Sequence, residues 1–225
     1  MIIPGILEKT FEEVIEKVRS VEEVSPEVQV DIADGKLVEG KTFLNINKLT
    51  SLNTKSILSL HFMVKNPSKY LKATKLVFPV PTRKIRCVNT VITQVVDIKQ
   101  VEKFIRTAKS IGYKVGVSLN HNQDTALIDL LLNEIDLVQF MSVVPGKQGN
   151  EFIPTVLEKI KKFKSIHPAI KTQIDGGISI TNLSQVLETG VDNVIIGSAI
   201  FNSENPRDKI LEFLETAHGS TTNYQ

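Results

Sequence analysis

Near its end the chain uses one short pattern twice, and that pattern leaves little freedom in how it can fold. A short strand pattern, Thr172 to Ile174, leads into Asp175-Gly176-Gly177; after a helix pattern, a second one, Asn193 to Ile196, leads into Gly197-Ser198-Ala199. Small residues at the end of a buried strand let backbone amides approach a ligand closely. The helix that follows adds its positive end, so each loop can cradle an anion. One such loop alone needs to be no more than a tight turn. Two of them after consecutive strands of an alternating chain point to the phosphate site of an eight-stranded β/α barrel, with the carboxylate of Asp175 at its mouth.

The rest of the sequence keeps the alternation such a barrel requires. Ile2-Ile3 reads as a first strand stopped by Pro4-Gly5, and Thr10 caps a helix whose Phe11, Val14, Ile15 and Val18 share one face. Strands follow at Val28–Ile32 and Ser56–Phe62, separated by a loop after Ala33-Asp34-Gly35 long enough to expect a function. The fourth strand is placed at 88–95; 74–86, where Pro79 and Pro81 interrupt an apolar run, is read as an inserted or rebuilt connection. Then come a helix Ile98–Ile111 ended by Gly112, a strand Lys114–Leu119, a helix Thr125–Asn133, a strand Leu137–Met141 and a helix Phe152–Lys164. Leu183, Val186 and Leu187 mark the helix between the two anion loops. Asn205-Pro206 starts the last one, with Ile210, Leu211 and Leu214 inward. The reading is an α/β chain forming a single (β/α)8 TIM barrel over residues 1–218, with a flexible polar tail over 219–225.

Bulk properties narrow the function. A chain of 225 residues, 41% hydrophobic, is long enough for one such barrel and its core. The 27 basic and 25 acidic residues nearly balance and are scattered, which argues against a nucleic-acid surface. A single cysteine excludes a disulfide framework. With no apolar run of about 18 residues and no signal pattern, no membrane association is expected and the protein is read as cytoplasmic.

In a β/α barrel the chemistry sits at the C-terminal strand ends. Polar residues fall there as Gln29, Asp31 and Asp34 on the second strand, His61 on the third, Gln94 on the fourth and Asp175 on the seventh. Gln29 and Asp31 share a face, while Asp34, before Gly35, caps the turn. Asp31 and Asp175 reach the mouth from opposite sides, as a two-base proton exchange at carbon requires. With His61 they can also hold a divalent ion that stabilises an enediolate. His121, His167 and His218 read as loop or surface residues, and Met63 and Met141 as core or rim packing.

Several of these segments carry a resemblance. Val28-Gln29-Val30-Asp31-Ile32-Ala33-Asp34-Gly35, Leu60-His61-Phe62-Met63-Val64-Lys65-Asn66-Pro67, and Met141-Ser142-Val143-Val144-Pro145-Gly146-Lys147-Gln148-Gly149-Asn150 resemble motifs of the ribulose-phosphate 3-epimerase family. The two loops of the last third resemble its phosphate loops. The likeness covers most of the chain apart from about 71–93, and the Met141–Asn150 segment is its most specific part.

The resemblance implies a barrel of the ribulose-phosphate-binding type and metal-assisted epimerisation at C3 of a ketose phosphate, D-ribulose 5-phosphate to D-xylulose 5-phosphate. It implies Asp31 and Asp175 as acid/base pair, and Asp31, His61 and Asp175 as ligands of one divalent ion (Zn, Mn, Fe or Mg). Gly146, Gly149, Gly176, Gly177, Gly197 and Ser198 would surround the phosphate, and Met63 and Met141 would line the reaction centre. The expected partner is a phosphorylated ketose, with neither nucleic acid nor membrane, and a homo-oligomer is expected.

The chain departs from the family where Gln29 replaces a histidine ligand, Gly5 a serine, Ala33 a third methionine, Gln94-Val95-Val96 a His-x-Glu, and Lys147-Gln148 an aromatic and a glycine. Gln29 can still offer a carbonyl oxygen to the ion, more weakly than imidazole. Lys147 adds a positive charge beside the phosphate loop. Two alternatives stay open: an epimerase or aldol-type enzyme on another ketose phosphate, such as a six-carbon one, or a catalytically degraded homologue that binds a sugar phosphate.

Overall fold

The computed structural model describes residues 1–73, 87–146 and 149–221. Eight parallel strands close a barrel in sequence order: β1 (Ile2–Ile6), β2 (Glu27–Ala33), β3 (Ile57–Met63), β4 (Val88–Gln94), β5 (Lys114–Leu119), β6 (Leu137–Met141), β7 (Lys171–Asp175) and β8 (Asn193–Ile196). The seam is β1 against β8, with Ile3 opposite Ile195 and Pro4 opposite Ile196. Around the strands lie α1 (Phe11–Val21), α2 (Ile46–Thr50), α3 (Pro67–Ala73), α4 (Ile98–Ile111), a 3-10 helix (Thr125–Glu134), α5 (Thr155–Ile166), α6 (Ile180–Leu187), α7 (Ser198–Phe201) and α8 (Pro206–Thr221).

Strand alternation separates two interiors. Outward-facing Val28, Val30, Ile32, Leu58, Leu60, Phe62, Val138, Phe140 and Ile174 form one apolar layer with Val14, Val18, Phe104, Ile160, Phe163 and Leu183 of the helices. Edge-to-face ring pairs fasten strand to helix within it, Phe62 to Phe104 at 5.8 Å and Phe140 to Phe163 at 5.5 Å. The lumen differs. Beside Ile3, Ile92 and Ile195 it holds buried Gln29, Ser59, His61, Ser118, Gln139 and Gln173, so this barrel is filled largely by polar side chains rather than the usual branched apolar ones.

Local rules set most boundaries. Thr10 and Glu13 form a capping box at the start of α1, and Gly112, in the left-handed region at φ 90°, ends α4. Four expectations need correction. β1 does not stop at Pro4 but continues to Ile6, because closing the ring pairs this segment with both β2 and β8. The helix expected from Phe152 starts at Thr155, because Ile153 N–H donates to Ser142 O at 2.7 Å and keeps the preceding residues in the β6 loop. Thr125–Glu134 is a 3-10 helix; Ile128 and Leu131 are buried while Leu127 and Leu130 face out, the three-residue period of that geometry. On α8 the inward partner of Ile210 is Phe213 (0% exposed), whereas Leu211 is 40% exposed. Helix α8 runs to Thr221; the inserted connection expected at 74–86, Lys147 and Gln148, and residues 222–225 lie outside the described residues.

Candidate active site

Strand register brings the expected residues together. Asp31 lies opposite His61 across the β2–β3 ladder, and Met141 opposite Asp175 across β6–β7. The loop after β2 folds back on itself. Thr42 Oγ1 donates to Asp31 O (2.8 Å) and accepts from Ala33 N–H (2.9 Å), which fixes the strand end that carries the carboxylate. On the other side, Ser142 Oγ donates to Gly176 O (2.6 Å) and Ser142 N–H to Asp175 O (2.9 Å), tying the β6 loop to the end of β7.

At the centre His61 Nδ1 lies 3.0 Å from Asp31 Oδ1 and 3.8 Å from Asp175 Oδ2. Asp31, His61 and Asp175 can each bring one ligand atom within 4.8 Å of the others. Two carboxylate oxygens and an imidazole nitrogen suit a divalent cation of intermediate hardness, so three of the four expected ligands fit. Gln29 does not present itself as the fourth. Its Nε2 donates to Asp175 Oδ2 (2.7 Å) and Asp31 Oδ1 (3.2 Å), and its carbonyl oxygen faces away, accepting from Gln173 Nε2 (2.9 Å).

Two participants escaped the sequence reading. Gln139 Nε2 donates to Asp175 Oδ2 (3.1 Å) and to Met141 Sδ (3.2 Å), and Gln173 Nε2 donates to Gln139 Oε1 (2.5 Å). The signal was present, since each glutamine stands two residues before a site residue on its strand, as Gln29 stands before Asp31. Burial, then the charge of Asp31, pushes the Asp175 carboxyl up to about 7, against the opposing pull of His61 and the Gln29 amide.

One cavity of about 60 Å³ is lined by Asp31, Asp175, Met63 and Met141 together with the six small residues Gly146, Gly149, Gly176, Gly177, Gly197 and Ser198. Gly176 has φ 118°, and a Cβ there would stand 2.4 Å from Val143 Cγ2, so the loop path is open to glycine alone. Gly5 also lines this cavity; a Cβ on it would lie 2.8 Å from Ile195 Cγ2, which accounts for the missing side chain.

Asp34 caps its turn as expected, accepting from Lys36 N–H at 3.1 Å, and takes no part in the centre. Gln94 is buried and lines an adjoining, larger cavity of about 720 Å³ with Leu37, Val96, Asn120 and Val144; Pro145 and Asn150 border both cavities, and neither carboxylate lines the larger one. Among the described residues its amide atoms have no hydrogen-bond partner.

Known proteins resemble this chain over most of its length. Residues 1–201 match the model of the family described as "Ribulose-phosphate 3 epimerase family". A protein of Synechocystis sp. named ribulose-phosphate 3-epimerase is 30% identical over 222 residues, covering 93% of this chain and 91% of that protein. A protein of Buchnera aphidicola with the same name is 39% identical over 122 residues, 52% of this chain and 54% of that protein. Among solved structures, 3-hexulose-6-phosphate synthase from Salmonella typhimurium superposes with a TM-score of 0.67 over 97% of this chain and 99% of the other, at 17% identity, a likeness of fold alone.

Proposed function

The chain belongs to the ribulose-phosphate 3-epimerase family, and from that premise we propose that it interconverts D-ribulose 5-phosphate and D-xylulose 5-phosphate by moving the proton at C3. One observation carries the proposal: Asp31 and Asp175, from strands 2 and 7, line a single cavity together with six small residues suited to an ester phosphate.

The chemistry follows from the residues. The phosphate enters the cradle of Gly146, Gly149, Gly176, Gly177, Gly197 and Ser198, where main-chain amides and small side chains leave room for its oxygens. This sets C3 of the ketose between the two carboxylates. Asp31 removes the C3 proton, and Asp175, at the end of the seventh strand, returns one to the opposite face. In the reverse direction the roles exchange. Held by Asp31, His61 and Asp175, a divalent ion would supply Lewis-acid stabilisation of the enediolate charge. Met63 and Met141 wall the cavity with apolar surface, which limits water at a carbanion-like centre.

Incubation with D-ribulose 5-phosphate in deuterated water tests the proposal. Deuterium at C3 and formation of D-xylulose 5-phosphate are expected. Asp31→Asn and Asp175→Asn should each lower turnover by about 10²–10⁴-fold while the phosphate ester still binds. Binding without exchange by the unaltered protein would instead identify a sugar-phosphate-binding homologue that has lost catalysis.

A further inference from the structure

We propose that Gln173 is a positioning residue that decides which end of two neighbouring amides faces the carboxylates, and thereby how strongly the site draws a divalent cation. Gln173 Nε2 donates to both Gln29 Oε1 (2.9 Å) and Gln139 Oε1 (2.5 Å). With their carbonyls so engaged, Gln29 and Gln139 turn their NH2 groups onto the same oxygen, Asp175 Oδ2, at 2.7 and 3.1 Å, and Gln29 reaches Asp31 Oδ1 as well.

All three amides are enclosed, none more than 2% exposed, so no amide can turn to solvent instead. Reversing Gln29 alone would set its carbonyl oxygen against a carboxylate oxygen and its NH2 against that of Gln173. The three amides therefore turn together or not at all. In the observed arrangement two N–H donors occupy a carboxylate oxygen that a cation would use, and the two carbonyls that could serve as ligands point away. The site is left with three ligands and competing donors. This inference rests on the reading of Asp31, His61 and Asp175 as the site, but it concerns cation binding rather than turnover.

The test is Mn²⁺ binding to metal-stripped protein, followed by the electron paramagnetic resonance of the free ion, with thermal unfolding confirming that each variant is folded. Gln173→Met frees both amides to rotate. Gln173→Glu exchanges the shared donor for an acceptor, so both amides must turn their carbonyls to the carboxylates. Gln139→Met removes one donor from Asp175, adds no charge and leaves the Gln173–Gln29 bond in place. Affinity should rise from the unaltered protein through Gln173→Met to Gln173→Glu, by about tenfold at the end of the series, the size of effect expected from residues behind a ligand shell. Gln139→Met should give a smaller rise. Unchanged affinity in both methionine variants overturns the proposal even if Gln173→Glu fails to fold, as does an absence of Mn²⁺ binding throughout the series. Turnover measured on the same samples separates the two readings: the ordered affinities without any epimerisation would sink the proposed reaction and leave this inference standing.

Discussion

The role proposed for Asp175 in proton transfer has a counterpart in stability. Its carboxyl titrates near 7 in the folded chain against 3.8 as the ordinary value, because the enclosed site and the neighbouring Asp31 disfavour the ionised form. A raised folded-state pKa gives stability that is complete below about pH 4 and lost as pH climbs through 7. With chelator present, the protein should therefore unfold at lower temperature at pH 8 than at pH 5, and Asp175→Asn should lack that part of the decline. The melting temperature of the variant relative to the parent should rise across this interval, by about 2–4 °C for each kcal/mol involved; parallel curves would refute the assignment. At this scale the ionisable residues were legible, since Asp31, His61 and Asp175 stand at strand ends where barrels keep their chemistry. The direction of an amide was not. Whether Gln29 shows nitrogen or oxygen to a cation depends on Gln173, 144 positions away, and no spacing rule encodes that.

Among the elements, the strands most clearly written in sequence were those bounded by turn residues. Lys114–Leu119, Leu137–Met141 and Asn193–Ile196 are short segments rich in apolar residues whose length argues for strand, and the structure agrees to the residue. Legibility failed where distant contacts outweighed local grammar, as at Pro4-Gly5, held in β1 by strands on both sides, and at Phe152-Ile153, held by Ser142. Local chemistry governs α1 more fully. Its box consists of Thr10 Oγ1 accepting from Glu13 N–H and the Glu13 carboxylate accepting from Thr10 N–H. Thr10→Ala should cost about 1 kcal/mol, seen as a lower melting temperature, with kcat unchanged because Thr10 is absent from the cavity that Asp31 and Asp175 line.

For the whole molecule, closure is the decisive event. Ile3 is fully buried at the seam opposite Ile195, so Ile3→Ala should cost about 2–5 kcal/mol. Because every strand is paired on both sides, the loss should appear as one earlier cooperative transition, with circular dichroism and tyrosine fluorescence melting together. The amino terminus is part of that seam, with the Met1 ammonium donating to Asp192 O across 191 positions of sequence. During synthesis this sets an order of events. The first strand leaves the ribosome before the other seven and waits with one flank bare until the eighth has emerged, so the nascent barrel stays an open, adhesive sheet until its last strand arrives.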